Sequence, residues 1–327
     1  MRRLALIFAL FSAFAFVVEG QIDDPISVES AIVRLNVGVV DRQGRPITDL
    51  ERSSFTVFED GVKQQIVGFE PSTAPFSVVL MLDMSGSTLP FRQVLKQAAA
   101  RFVYALGPED RVAVVEFYDR INLRNDFTTD GKTILHSIDA SNGRGKTRLY
   151  EALDFALGKL SREKGRRKAI IVLSDGVDSL AQSVDRDQLA AIPDEKVPNA
   201  ITPDIYGPLN DILSKADKLG ASIYPLALPT GDPAKLADPT ARQIAMFQAA
   251  RERFAFLAQR TGATIRTINR LEDMGRLYAE VAADLRTLYT IDYQPANDKR
   301  DGKWHAIKVE VAAPDLISRT RTGYFAR

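Results

Sequence analysis

Asp83, Ser85 and Ser87 occupy alternate positions in MLDMSGST, residues 81–88, directly after an uninterrupted apolar run. That alternation lets three oxygen-bearing side chains of one turn point the same way. A carboxylate and two hydroxyls are hard donors, suited to a cation such as Mg²⁺. Two further stretches carry matching chemistry. Thr147 opens a helical pattern in GKTRLYEAL (145–153), and Asp175 ends another apolar run in LSDGVDS (173–179). Asp83, Ser85, Ser87, Thr147 and Asp175 form an all-oxygen set with only two formal charges. An ion whose shell is filled largely by hydroxyls stays electrophilic, and it can accept a carboxylate from another molecule.

The surrounding pattern explains how these residues meet. SVVLMLD (77–83), RVAVVEF (111–117), KAIIVLSD (168–175) and ASIYPLAL (221–228) read as strands buried on both faces, and ATIRTI (263–268) as a further strand. Helical stretches near 90–105, 131–139, 147–160, 241–260 and 271–288 alternate with them, which predicts an α/β fold with a doubly wound, mostly parallel sheet. Ligands of such sheets bind at the carboxyl ends of the strands, where Asp83 and Asp175 both stand. The chain ends read differently. Val33, Leu35, Val37 and Val39 alternate with polar residues or glycine, Glu59-Asp60-Gly61 signals a hairpin, and Tyr289–Tyr293, Trp304–Val311 and Ser318–Tyr324 read as strands. Neither end holds enough residues for its own core. The expectation is a small β-sandwich formed jointly by residues 27–75 and 289–327, flanking an α/β domain at 76–288. Two separate β appendages are the alternative.

At these residues the chain resembles the von Willebrand factor type A domain. Asp83-Met-Ser85-Gly-Ser87, Thr147 and the Asp175-Gly pair look like its metal-ion-dependent adhesion site, over roughly residues 76–288. The flanks resemble those of a bacterial group of exported proteins related to that family, with a tail like YTIDYQP…GYFAR. The resemblance implies a divalent ion, Mg²⁺ or else Mn²⁺ or Ca²⁺, held by both serines, with Thr147 and the aspartates bound directly or through water. It implies a protein partner whose acidic residue completes the shell. It also implies a last helix that slides, in switching relatives, when coordination changes.

Competing readings are weaker. A lone D-x-S-x-S is often only a helix cap, but Thr147 and Asp175 stand in matching positions. GRGKT (143–147) evokes a phosphate loop, yet Ala140 occupies the place of its first glycine. An aspartyl-phosphate enzyme wants a second aspartate where Ser85 stands, and a serine hydroxyl does not titrate near neutral pH. The only histidines, His136 and His305, lie in a helical segment and a terminal strand, without metal-ligand spacing. The chemistry therefore favours a non-enzymatic binding module, in adhesion or envelope assembly. A metal-dependent exported hydrolase, or a subunit of an enzyme complex, is the alternative.

Residues 1–20 read as a signal peptide: Arg2 and Arg3, an apolar run from Leu4 to Val18, then Gly20. The run is short for a membrane span, so the expected product is periplasmic, secreted or surface-associated, with no membrane insertion after cleavage. Cleavage takes two arginines and one glutamate from a chain of net charge +1, leaving it near zero. Neutrality gives no reason to expect nucleic acid as a partner. The chain has no cysteine, which excludes disulfides, thiolate metal sites and a lipoprotein anchor. Residues 179–208 and 229–240 read as long loops on the metal edge, and they are the expected determinants of partner choice.

Overall fold

Eight successive buried residues make β4 (Phe76–Asp83), the centre of a six-stranded sheet. The computed structural model describes residues 32–198, 200–202, 206–232, 234, 237–268, 270–297 and 301–326. The proposed signal peptide lies outside the described residues. On one side, β4 pairs in parallel with β5 (Arg111–Phe117), which pairs antiparallel with the edge strand β6 (Ile121–Thr128). On the other side come β7 (Arg167–Ser174), β8 (Ala221–Ala227) and a two-residue β9 (Arg266–Thr267), all parallel.

Because side chains alternate across a strand, β4 feeds both faces of the sheet. Val78, Leu80 and Leu82 pack under α1 (Arg92–Tyr104), α2 (Gly131–Ala140) and α7 (Met274–Arg286), where Leu95, Phe102, Ile134 and Tyr278 are buried. Val79 and Met81 face α3 (Leu149–Leu160), α5 (Gly207–Leu219) and α6 (Ala241–Arg260), against Leu153, Ile212 and Leu257. The sheet is doubly wound and mostly parallel, as the apolar runs predict.

The segment after Asp175 differs from its sequence reading. Ser179–Ala190 is a helix, α4, whose inward stripe is Ala181, Asp185 and Leu189. Asp185 is buried and donated to by both terminal nitrogens of Arg253 from α6, at 2.7 and 2.6 Å. Leu189, Val197 and Ile201 form a small apolar cluster with Ala245 and Ala249 of α6. Asp194 pairs with Arg242. Of these two acidic residues on the segment read as a free loop, Asp185 is spent on internal packing, while Asp194 stays exposed in a surface ion pair.

The two chain ends join in one seven-stranded antiparallel sheet. Its order is β12 (Ile317–Arg319), β1 (Val33–Val40), β10 (Leu288–Gln294), β3 (Val62–Glu70), β2 (Phe55–Glu59), β11 (Trp304–Val311) and β13 (Gly323–Phe325). β10 lies between β1 and β3, so a C-terminal strand is inserted among N-terminal ones. The sheet curls over itself: the Ser318 hydroxyl of edge strand β12 donates to Val309 O of β11 at 2.5 Å. Leu35, Val37, Val57, Tyr289, Ile291 and Val309 fill the enclosed side. Arg167 spans the junction with the α/β part. Its guanidinium stacks on Phe76 at 3.9 Å and donates to Ser72 O at 2.7 Å, to Leu285 O at 3.3 Å and to Leu288 O.

Candidate functional site

β4 and β7 are hydrogen-bonded neighbours with Leu82 beside Leu173, so Asp83 and Asp175 emerge side by side at one edge. Asp83 is fully buried, and Asp175 is 3% exposed. Asp83 Oδ1 accepts the Ser85 N–H at 2.9 Å, and Oδ2 accepts the Ser174 hydroxyl at 2.5 Å. Asp175 Oδ1 accepts the Val177 N–H at 3.0 Å, and the Ser87 hydroxyl bears on the same carboxylate. The Ser85 and Ser87 hydroxyls are 3.2 Å apart. Ser85 is buried, whereas Ser87 is exposed. The donor set therefore runs from a sealed carboxylate outward to a hydroxyl in water.

Thr147 arrives on a separate loop. Gly86 N–H donates to Gly145 O at 3.0 Å, which draws the GKT loop against the serine turn. Gly145 has φ +110°, and a Cβ there would meet Asp119 Oδ2 at 2.0 Å, so only glycine permits this approach. Thr147 is buried and fixed by its main chain: its N–H donates to Ser179 Oγ at 3.0 Å, and its carbonyl accepts the Ser179 N–H at 3.0 Å. The five candidates thus come from three loops at one edge. Direct side-chain contacts join Asp83 with Ser85, Ser85 with Ser87, and Ser87 with Asp175.

Several residues that hold the site escaped the sequence reading. Thr88 is buried under the serine turn, where its hydroxyl donates to Asp83 O at 2.9 Å or to Ser85 O at 3.0 Å. Asp178 accepts Leu149 N–H at 2.8 Å and the Leu180 and Ala181 N–H groups at 2.9 Å, so it caps α4 while holding the start of α3. Its place before Ser179-Leu180 was a readable capping signal. Arg92 ties the turn to the neighbouring loop by donating to Met84 O at 3.0 Å and Gly143 O at 2.8 Å.

Burial, and then the neighbouring Asp175 charge, raise the Asp83 carboxyl to about 7. Burial likewise raises Asp175. No cationic side chain is ion-paired with either carboxylate among the described residues. Two buried acids, oriented by main-chain donors and flanked by hydroxyls, fit a hard divalent cation. Among the described residues no histidine lies beside these acids. His136 is exposed on α2, and His305 lies in β11 of the other sheet.

No curated protein matches the chain. The von Willebrand factor domain of the type V pili tip protein Mfa5 from Porphyromonas gingivalis is 14% identical with a TM-score of 0.45, covering 64% of this chain and 95% of that one. A von Willebrand factor type A protein from Catenulispora acidiphila is 10% identical with a TM-score of 0.48, covering 90% of this chain and 75% of that one. Proximal thread matrix protein 1 from the mussel byssus, with zinc in its MIDAS motif, is 15% identical with a TM-score of 0.45, covering 67% of this chain and 47% of that one. Residues 78–177, which hold all five candidate residues, match the family model of the von Willebrand factor type A domain.

Proposed function

We propose that this is an exported, non-enzymatic protein that binds a protein partner through a divalent ion, in adhesion or in assembly of an envelope complex. Asp83, Ser85, Ser87, Thr147 and Asp175 would hold the ion, with Mg²⁺ favoured by the all-oxygen donor set. When bound, the ion supplies an electrophilic position for an acidic side chain of the partner. The observation that carries this reading is the pair of buried, unpaired carboxylates at adjacent strand ends, with Ser87 opening the set to solvent. A domain of this family commonly mediates protein–protein contact, and the family match covers the site. Export rests on the sequence of residues 1–20. No helix among the described residues is long and apolar enough to cross a membrane.

Asp83→Ala removes one of the two charges, so the rise in melting temperature that Mg²⁺ gives the wild type should disappear in the variant. Equal rises in both proteins would reject the site. The effect should depend on pH with a defined sign. The raised Asp83 carboxyl makes the metal-free fold lose stability as pH rises from about 4 to about 7. An ion competes with the proton held there, so Mg²⁺ stabilisation should grow between pH 5 and pH 8. A stabilisation that is flat across that interval, measured by calorimetry, would show that the carboxylates do not take part.

Thr147→Ala should leave the fold intact, because both bonds that fix this residue run through its main chain. The N-cap position of α3 is Arg148, so the substitution costs no capping bond. Binding to immobilised acidic peptides in Mg²⁺ should nevertheless weaken. Unchanged peptide affinity, alongside its abolition by Asp83→Ala, would remove Thr147 from the site. Peptide binding that persists in chelator would remove the ion from the mechanism.

A further inference from the structure

Strand pairing gives His305 the neighbours that its sequence context lacks. β2 ends at Glu59, and the Asp60-Gly61 turn follows. β11 runs antiparallel beside β2 with Ile307 opposite Glu59. The turn is stitched to β11 by Asp60 N–H donating to Ala306 O at 2.9 Å, and by Ala306 N–H donating to Asp60 Oδ1 at 2.8 Å. His305 Nδ1 then lies 3.2 Å from Glu59 Oε1 and 3.0 Å from Asp60 Oδ2.

Each carboxylate has one oxygen committed to the protein. Glu59 Oε2 accepts the Tyr293 hydroxyl, and the Tyr324 hydroxyl at 3.2 Å. Asp60 Oδ1 takes the Ala306 N–H. The two oxygens left over converge on one nitrogen of an imidazole that is 4% exposed. Neither ring nitrogen has a correctly directed hydrogen bond. A proton on Nδ1 could point at only one of the carboxylates, and the geometry satisfies neither. Leaving a buried imidazole unbonded between two acids is costly.

A cation resolves all three groups together. Ligand bonds of about 2.0–2.2 Å place neighbouring donor atoms roughly 3.0–3.5 Å apart in octahedral or tetrahedral shells, which spans the two distances from His305 Nδ1 to the carboxylates. The far nitrogen, Nε2, faces Asp301 Oδ1 at 3.6 Å, on the side where a ligating imidazole commonly meets an orienting carboxylate. The two tyrosines orient Glu59 in the same way. Asp60 is half exposed, which gives an ion a path in and a place for water. One imidazole nitrogen with two carboxylates suits a borderline ion such as Zn²⁺ better than Mg²⁺.

We propose that Glu59, Asp60 and His305 form a second divalent-cation site, of zinc type, in the antiparallel sheet and distinct from the crevice at Asp83. It clamps the β2–β3 turn of the N-terminal segment to β11 of the C-terminal one.

Co²⁺ titration of the full chain, with excess Mg²⁺ present to occupy the crevice, tests this. One equivalent of Co²⁺ should bind with visible d–d absorption of a nitrogen–oxygen site, and one equivalent of Zn²⁺ should displace it. Asp83→Ala should keep the absorption, and His305→Gln should abolish it. Asp60→Asn preserves the turn, since asparagine tolerates the φ of +50° found there and retains the acceptor for Ala306. That variant should bind Co²⁺ at least tenfold more weakly, and it decides the matter if His305→Gln does not fold. Co²⁺ affinity unchanged in Asp60→Asn overturns the proposal. So does an absorption that Asp83→Ala removes, because the binding then belongs to the crevice.

Discussion

Deleting residues 288–327 should unfold the N-terminal β segment while residues 76–286 stay folded. The deletion removes β10, β11, β12 and β13, four of the seven strands of the curled sheet. β1 and β3 do not pair with each other, because β10 lies between them. Tyr289, Ile291, Tyr293, Ile307 and Val309 leave the shared core, and each buried side chain of this size contributes about 1.5–3 kcal/mol. Their sum, on the order of 10 kcal/mol, matches the whole stability of a typical domain. Both cores of the α/β part, in contrast, draw only on residues 76–285. Limited proteolysis with mass spectrometry should show rapid cleavage within residues 32–70 and a surviving fragment from about residue 76. A protease-resistant N-terminal segment in the truncated protein would mean that it folds without its C-terminal partner strands.

The same division explains what could be read from the sequence. Where burial is uniform or close to alternating, pattern and structure agree, as in β4, β7 and, apart from the buried Asn36, β1. The candidate site was legible because its three segments each sit directly after a buried strand or at a helix start, so that topology alone brings them to one edge. α4 was illegible because the middle of its buried stripe is Asp185, and only Arg253, on a distant helix, makes that burial tolerable. β6 was missed for a different reason. Arg124 and Asn125 keep an edge strand polar, with three of its eight residues exposed and one buried. His305 had only Asp301 nearby in sequence: the carboxylates at its Nδ1, Glu59 and Asp60, are some 245 residues away and reach it only through the β2–β11 register.

Arg167→Ala should be the most destabilising single substitution at the junction, and its effect should concentrate on the last helix. The side chain is 2% exposed and serves three carbonyls: Ser72 before β4, Leu285 in the last turn of α7, and Leu288 at the start of β10. Burial lowers its pKa to about 10, which still leaves it charged at neutral pH. Truncation strands buried acceptors at about 1–3 kcal/mol each and removes the contact with Phe76, so a total loss of roughly 3–5 kcal/mol is expected. For a chain of this size that is a melting temperature lower by about 6–15 °C. Arg167→Lys keeps the charge but cannot reach three carbonyls with a planar fork, so it should fall between the two. The clamp also bears on whether the site can signal through α7. No Gly/Ser linker separates Arg286 from Leu288, and Arg167 holds both sides of that short connection. Sliding of the helix would break the Arg167 bonds and pull on β10 between its two neighbours. Hydrogen exchange over residues 274–293 should therefore be slow in the wild type and change little when Mg²⁺ and an acidic peptide are added. In Arg167→Ala the same segment should lose protection before the rest of the α/β sheet. Strong peptide-induced deprotection of α7 in the wild type would show that the clamp opens in use and that the helix transmits binding to the antiparallel sheet.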